Sequence, residues 1–135
     1  MVGGVIVTHG DLGKALLNVV SKIIGKKVSL PVITIEWREG ASGIEEKMDE
    51  IKEAIEKEER GKGVIVFTDI FGGTPTNMCV SLLENENVEI ITGVNLPLLL
   101  KFISEREKKG LEDLSKSLTL RGKESIGRIR ELLEK

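Results

Sequence analysis

Tyrosine is absent from this chain, and histidine, cysteine and tryptophan occur once each. Each scarcity excludes something. Aromatic residues make up 3% of the sequence, too few for a platform that stacks nucleic-acid bases. A single cysteine permits no internal disulfide, which fits a reducing compartment. No apolar run approaches the twenty or so residues that cross a bilayer. The N-terminus lacks the basic-then-apolar layout of a secretory signal. A cytoplasmic protein is therefore expected. Positive charge is not in excess either, since the formal net charge is -2. No nucleic-acid groove is expected.

What remains is an ordinary globular composition, 40% hydrophobic and 31% charged over 135 residues. That length suits one domain, residues 1–135, with a core that needs no staples. Strand and helix patterns alternate along it. Residues 2–8 are predicted as a first strand. A helix follows, with Leu12, Leu16, Val19, Val20 and Ile23 as its inward stripe, Asp11 as its cap and Gly25 as its stop. Residues 31–37 form a second, β-branched strand. Ser42-Gly43-Ile44-Glu45 matches a capping box that opens a second helix. That helix has Ile44, Met48, Ile51 and Ile55 inward, and Gly61 ends it.

Residues 63–69 are a third strand. Thr74 then caps a third helix, with Pro75 at its first position. Cys79 belongs to that helix's core side. Residues 88–92 are a fourth strand, and a fourth helix buries Leu99, Phe102 and Ile103. In the tail, residues 111–118 are expected helical and 119–121 a short edge strand. Residues 124–134 are expected as a last helix with Ile126, Ile129 and Leu133 inward. The pattern is βαβαβαβα: an α/β fold with three layers, a mostly parallel sheet and right-handed crossovers.

Two strand ends carry the chemistry. Val5-Ile6-Val7-Thr8-His9-Gly10 runs apolar residues into the only imidazole. Val64-Ile65-Val66-Phe67-Thr68-Asp69 runs apolar residues into a carboxylate, followed by Phe71-Gly72-Gly73-Thr74-Pro75. In an open parallel sheet, ligands bind beyond the carboxyl ends of the strands where the strand order reverses. An order of 2-1-3-4 places His9 and Asp69 on neighbouring strands about 4.8 Å apart. A carboxylate that accepts the proton of one ring nitrogen fixes the tautomer and leaves the lone pair of the other to attack an electrophile. Gly72 and Gly73 let the backbone approach a ligand, and the helix opening at Thr74 favours an anion. There is no Walker pattern and no carboxylate cluster for magnesium. A phosphoryl group delivered by another protein is the electrophile this suits, with no metal and no cofactor.

Each residue also has a plainer reading. His9 as a core histidine, Asp69 as a turn cap and Gly72-Gly73 as a simple turn are each sufficient alone. Thr8, Gly10, Trp37, Phe71 and Asn95 stand near the same rim as possible site lining. For Trp37 core packing competes with this role, and for Asn95 organisation of the turn before Pro97 is favoured. A lone histidine is a poor metal site.

Three segments together, Val7-Thr8-His9-Gly10, residues 68–77 (Thr-Asp-Ile-Phe-Gly-Gly-Thr-Pro-Thr-Asn) and Thr92-Gly93-Val94-Asn95-Leu96-Pro97, resemble the mannose-family IIA component of the bacterial phosphoenolpyruvate-dependent sugar phosphotransferase system. The resemblance covers nearly the whole chain in order. It implies that His9 carries the phosphoryl group on Nε2, that Asp69 orients the ring through Nδ1, and that Thr74 lies beside the phosphoryl group. It further implies phospho-HPr as donor and the IIB component as acceptor. IIB would then phosphorylate sugar passing through the membrane components IIC and IID. It also implies a homodimer in which a C-terminal strand pairs with the neighbouring subunit's sheet; the short antiparallel edge strand expected at residues 119–121 is the candidate for that exchange. Ile70 and Phe71 depart from members with a hydroxyl and a tryptophan there. Three other readings share the architecture: a flavodoxin-like cofactor binder, disfavoured by the scarcity of aromatics; a phosphoryl donor subunit for dihydroxyacetone kinase; and a regulatory phosphoprotein.

Overall fold

The structure is a computed structural model that describes residues 1–36, 41–70 and 72–134, the side chains of Ala41 and Ser42 excepted. Four strands, β1 (Gly3–His9), β2 (Val32–Ile35), β3 (Val64–Thr68) and β4 (Val88–Ile91), form one sheet in the order β2-β1-β3-β4. Every pairing is parallel, with Ile6 opposite Val32 and Phe67, and Phe67 opposite Ile91. This is the expected strand order.

Side chains alternate across the strands, and the two faces collect two cores. Ile6, Ile65, Phe67 and Ile91 pack against α1 (Leu12–Ile24), α4 (Leu96–Glu105) and α5 (Leu111–Glu124) through Val20, Leu98, Leu99, Phe102, Leu114 and Leu118. Val5, Val7, Val64 and Val66 pack on the other face through Ile51, Ile55, Cys79 and Leu82. Those four come from α2 (Ala41–Glu58), α3 (Thr74–Cys79) and the 3-10 turn Val80–Glu84 that continues α3. The result is three layers. At the centre, the rings of Phe67 and Phe102 meet edge to face, with centroids 5.0 Å apart. A Cβ at Gly4 would stand 2.8 Å from Phe102, so only glycine leaves room for that ring.

Four expectations change. In α1, Val20 is buried, but Leu12, Val19 and Ile23 are exposed, so the apolar residues wrap beyond the face that meets the sheet. α2 already includes Ser42, which lies inside the first turn and not ahead of it. Residues 119–121 are not a strand: α5 runs unbroken to Glu124, and the Thr119 hydroxyl donates to the Ser115 carbonyl one turn back. Among the described residues no antiparallel strand joins the sheet. Finally, the last helix shortens to α6 (Ile129–Leu133), and Ile126, Ile129 and Leu133 face solvent. The helical spacing of these residues was legible, but no surface of the same chain covers them.

Among the described residues no helix is long and apolar enough to cross a membrane.

Candidate functional site

His9 closes β1 and Asp69 follows β3 directly. Val7 is opposite Thr68 across the two strands, so both residues emerge at one edge, where the order reverses between β1 and β3. Asp69 Oδ2 accepts the backbone N–H of His9 at 3.0 Å and lies 3.0 Å from His9 Nδ1. Asp69 Oδ1 accepts the backbone N–H of Ile70 at 2.9 Å. The two side chains are 13% and 7% exposed, so the pair sits at the rim but shielded from bulk water.

With an acceptor-only carboxylate beside it, Nδ1 carries the ring proton, and in the neutral ring Nε2 then carries the lone pair. Burial alone would raise the Asp69 pKa. The His9 backbone N–H, the His9 ring, the Ile70 N–H and the charge the ring can take on together outweigh it, and hold the carboxyl below its ordinary value. Asp69 is thus held as an anion beside the His9 ring.

The glycine turn lies against the same ring. A Cβ at Gly73 would stand 3.2 Å from His9 Cε1. Gly72 adopts φ +82 and Gly10 φ +50, conformations that L side chains rarely accept. The expected capping of α3 moves by one residue. Gly73 is the cap, in an extended conformation with its carbonyl accepting from Asn77 at 3.0 Å, and Thr74 is the first helical residue. Glycine can take that cap position because the turn itself needs no side chain there. Thr74 is exposed at the rim. The first-turn N–H groups have no acceptor within the helix.

Other candidates divide. Thr8 is fully buried, and its hydroxyl accepts the Gly13 N–H at 2.8 Å. It therefore supplies the cap contact expected of Asp11, whose side chain makes none. Asn95 caps α4, accepting from the Leu98 N–H at 3.1 Å and donating to the Gly122 carbonyl at 3.3 Å. Its side chain is committed to joining α4 to α5. Trp37 and Phe71 lie outside the described residues. Among the described residues, no group of three or more His, Cys, Asp or Glu could hold a metal ion.

Residue-by-residue reading missed three threonines beneath the turn. Thr76 Oγ1 lies 2.6 Å from Thr68 Oγ1, 3.4 Å from Thr92 Oγ1, and donates to the Ile70 carbonyl at 2.8 Å. The available signal was position: Thr68 and Thr92 end or follow strands, and Thr76 lies in the first turn of the helix between them.

Fold and site together define an α/β protein that presents a carboxylate-anchored imidazole at the switch point of a parallel sheet, an arrangement suited to nucleophilic histidine chemistry. The family model described as the PTS system fructose IIA component matches residues 3–119. The chain belongs to this family, the mannose-type IIA components of the sugar phosphotransferase system, and is a phosphoryl carrier in sugar uptake. It is 34% identical over 136 residues to the fructose-specific EIIA component of Bacillus subtilis, covering 100% of this chain and 91% of that protein. It is 30% identical over 104 residues to the mannose-specific EIIAB component of Escherichia coli K12, where the match covers 76% of this chain and 31% of the relative. Among solved structures, a PTS IIA protein associated with the fucose utilization operon of Streptococcus pneumoniae superposes with a TM-score of 0.78 at 25% identity, covering 97% of this chain and 95% of that one.

Proposed function

We propose that His9 is the residue that carries the phosphoryl group, that phospho-HPr donates it and that a IIB component accepts it. The observation that carries this reading is the 3.0 Å contact of His9 Nδ1 with a carboxylate held anionic. With Nδ1 holding the proton, Nε2 attacks phosphorus in line. The new N–P bond forms as the donor's N–P bond breaks, and the donor imidazole leaves with its electron pair. Charge on the attacking ring rises, and Asp69 stabilises it. The transition state of such a transfer is loose, so positioning and electrostatics supply most of the acceleration. Gly72 and Gly73 let the turn approach the phosphoryl oxygens, and Thr74 stands exposed beside them. Because the group passes between imidazoles of similar basicity, the step runs in either direction. The IIB component then serves sugar entering through membrane components IIC and IID.

The deciding experiment is incubation with phosphoenolpyruvate, enzyme I and HPr, followed by mapping of the label. An acid-labile, base-stable phosphate on His9 is expected, with none on a folded His9→Ala variant. Label persisting on that variant would refute the assignment.

The working form is a homodimer. β4 is an open edge of the sheet, and the exposed residue Leu120 lies with Ile90 and Ile91 along a groove beside it. Ile126, Ile129, Leu132 and Leu133 are more than half exposed. A sheet edge that no described residue pairs, together with an uncovered apolar tail, favours pairing with a second copy.

A further inference from the structure

We propose that Thr76 is a positioning residue for phosphoryl transfer: through the Ile70 carbonyl it sets the turn that holds Asp69 and Gly73 against His9. The kinetic part of this inference rests on His9 being the phosphoryl acceptor. The geometric part does not.

The hydrogen-bond inventory of Thr76 is full. A hydroxyl has one proton to give and two lone pairs to offer. Thr76 gives its proton to the Ile70 carbonyl at 2.8 Å. The close contact with Thr68 at 2.6 Å is therefore one that Thr68 donates, and the longer contact with Thr92 at 3.4 Å occupies the remaining side. Thr76 is 4% exposed and Thr68 is fully buried, so water does not substitute for these bonds. One hydroxyl thus ties the end of β3, the residue after β4 and the turn between β3 and α3.

The tie reaches the chemistry in two ways. Ile70 is fixed at both ends: its carbonyl accepts from Thr76 and from the Gly73 N–H at 3.2 Å, and its own N–H donates to Asp69 Oδ1 at 2.9 Å. That last bond orients the carboxylate whose other oxygen faces His9 Nδ1. The Gly73–Ile70 bond also sets how closely Gly73 approaches His9 Cε1. Further backing comes from the segment that follows β4, where the Gly93 N–H donates to the Asp69 carbonyl at 2.9 Å and the Val94 N–H to the Thr68 carbonyl at 3.0 Å. Without the Thr76 hydroxyl, the Ile70 carbonyl keeps only the longer Gly73 bond, and both contacts to His9 loosen together.

The test compares Thr76→Val, which keeps the branched shape but loses the hydroxyl, with Thr76→Ser, which keeps the hydroxyl. Two quantities are measured on the full chain: the rate of His9 phosphorylation by phospho-HPr, and the NMR titration of the Asp69 carboxyl. Thr76→Val is expected to slow phosphorylation about tenfold, since small misplacement of reacting groups is costly. It is also expected to move the Asp69 titration upward toward the ordinary carboxyl value, with Thr76→Ser restoring both. A slower rate with an unmoved Asp69 titration, or a moved titration with an unchanged rate, overturns the proposal. If Thr76→Val loses its circular-dichroism signature, Thr76→Ala takes its place, because it removes the hydroxyl without placing a methyl group against Thr68. Should no phosphate reach His9 even in the unaltered chain, the acceptor reading fails by itself. The Asp69 titration then decides the positioning claim.

Discussion

Asp69 accepts three N–H groups with two oxygens, and two consequences follow at the scale of that one side chain. The first is kinetic. Asp69→Asn leaves His9 in place but turns one of the two accepting oxygens into an NH2 donor and removes the charge, so the ring loses its firm hold on one tautomer. Phosphoryl transfer is expected to slow by about 10² to 10⁴, the range of general acid–base contributions, with His9 still labelled at long times. Rapid-quench kinetics read this directly, and wild-type rates would discard the pair. The second concerns pH. The folded-state pKa of Asp69 is lowered from 3.8, so its contribution to stability is fully present above that ordinary value. It is lost as the pH falls through the lower, folded value. Chemical denaturation of wild type and Asp69→Asn is expected to show a gap at pH 7 that closes below about pH 3.8. A gap that stays constant into acid would mean that the carboxylate charge contributes nothing.

At the scale of elements, the reach of α1 to the sheet is set by Gly13. A Cβ there would stand 2.9 Å from both Ile6 Cγ2 and Val32 Cγ1 and 3.0 Å from Thr8 Oγ1. The same residue's N–H takes the Thr8 hydroxyl as its acceptor. Gly13→Ala is therefore expected to destabilise the fold by about 1–3 kcal/mol, the usual cost of overpacking, despite alanine's better helix propensity. Thermal melting checks the sign, and a raised melting temperature would show that α1 shifts freely. This contact also bears on the site, because His9 and Gly10 lie between Thr8 and the helix it caps. Cys79, by contrast, is an element-scale filler. It is fully buried on the inner face of α3, and burial pushes its thiol pKa up to about 12, so it is inert.

For the whole molecule, the unpaired β4 edge and the apolar tail lead to a prediction about assembly. Sedimentation is expected to report a dimer for the unaltered chain. Leu120→Glu with Ile129→Glu is expected to shift it toward monomer while leaving the helical signal intact. A chain that sediments as a monomer at tens of micromolar would remove the dimer from the reading.

Much of this was legible before the fold was known. Strand and helix order followed from apolar periodicity, and the two strand ends stood out because a run of buried β-branched residues stopped at a titratable one. Tail residues 119–134 misled, because the same spacing of isoleucine and leucine occurs in a helix packed on its own core and in one left exposed at the surface. Residues 119–121 also carry a threonine and a leucine that suit a strand locally, yet the buried Leu114 and Leu118 draw α5 through them. The Thr68–Thr76–Thr92 cluster showed only as threonines at two strand ends and in the first turn of a helix, and the hydroxyls meet only once β3 and β4 lie side by side.

By itself, then, the order of residues determined the alternation of strands and helices, the rim on which His9 and Asp69 emerge and the presence of glycine where the turn needs it. Local sterics and hydrophobic spacing act along the chain and can be read along it. Only tertiary structure decided that Asp69 touches Nδ1, that Gly73 lies against the ring and that Thr76 braces the turn. Those depend on strand neighbours brought together across gaps of sixty and sixteen residues, which no local pattern encodes.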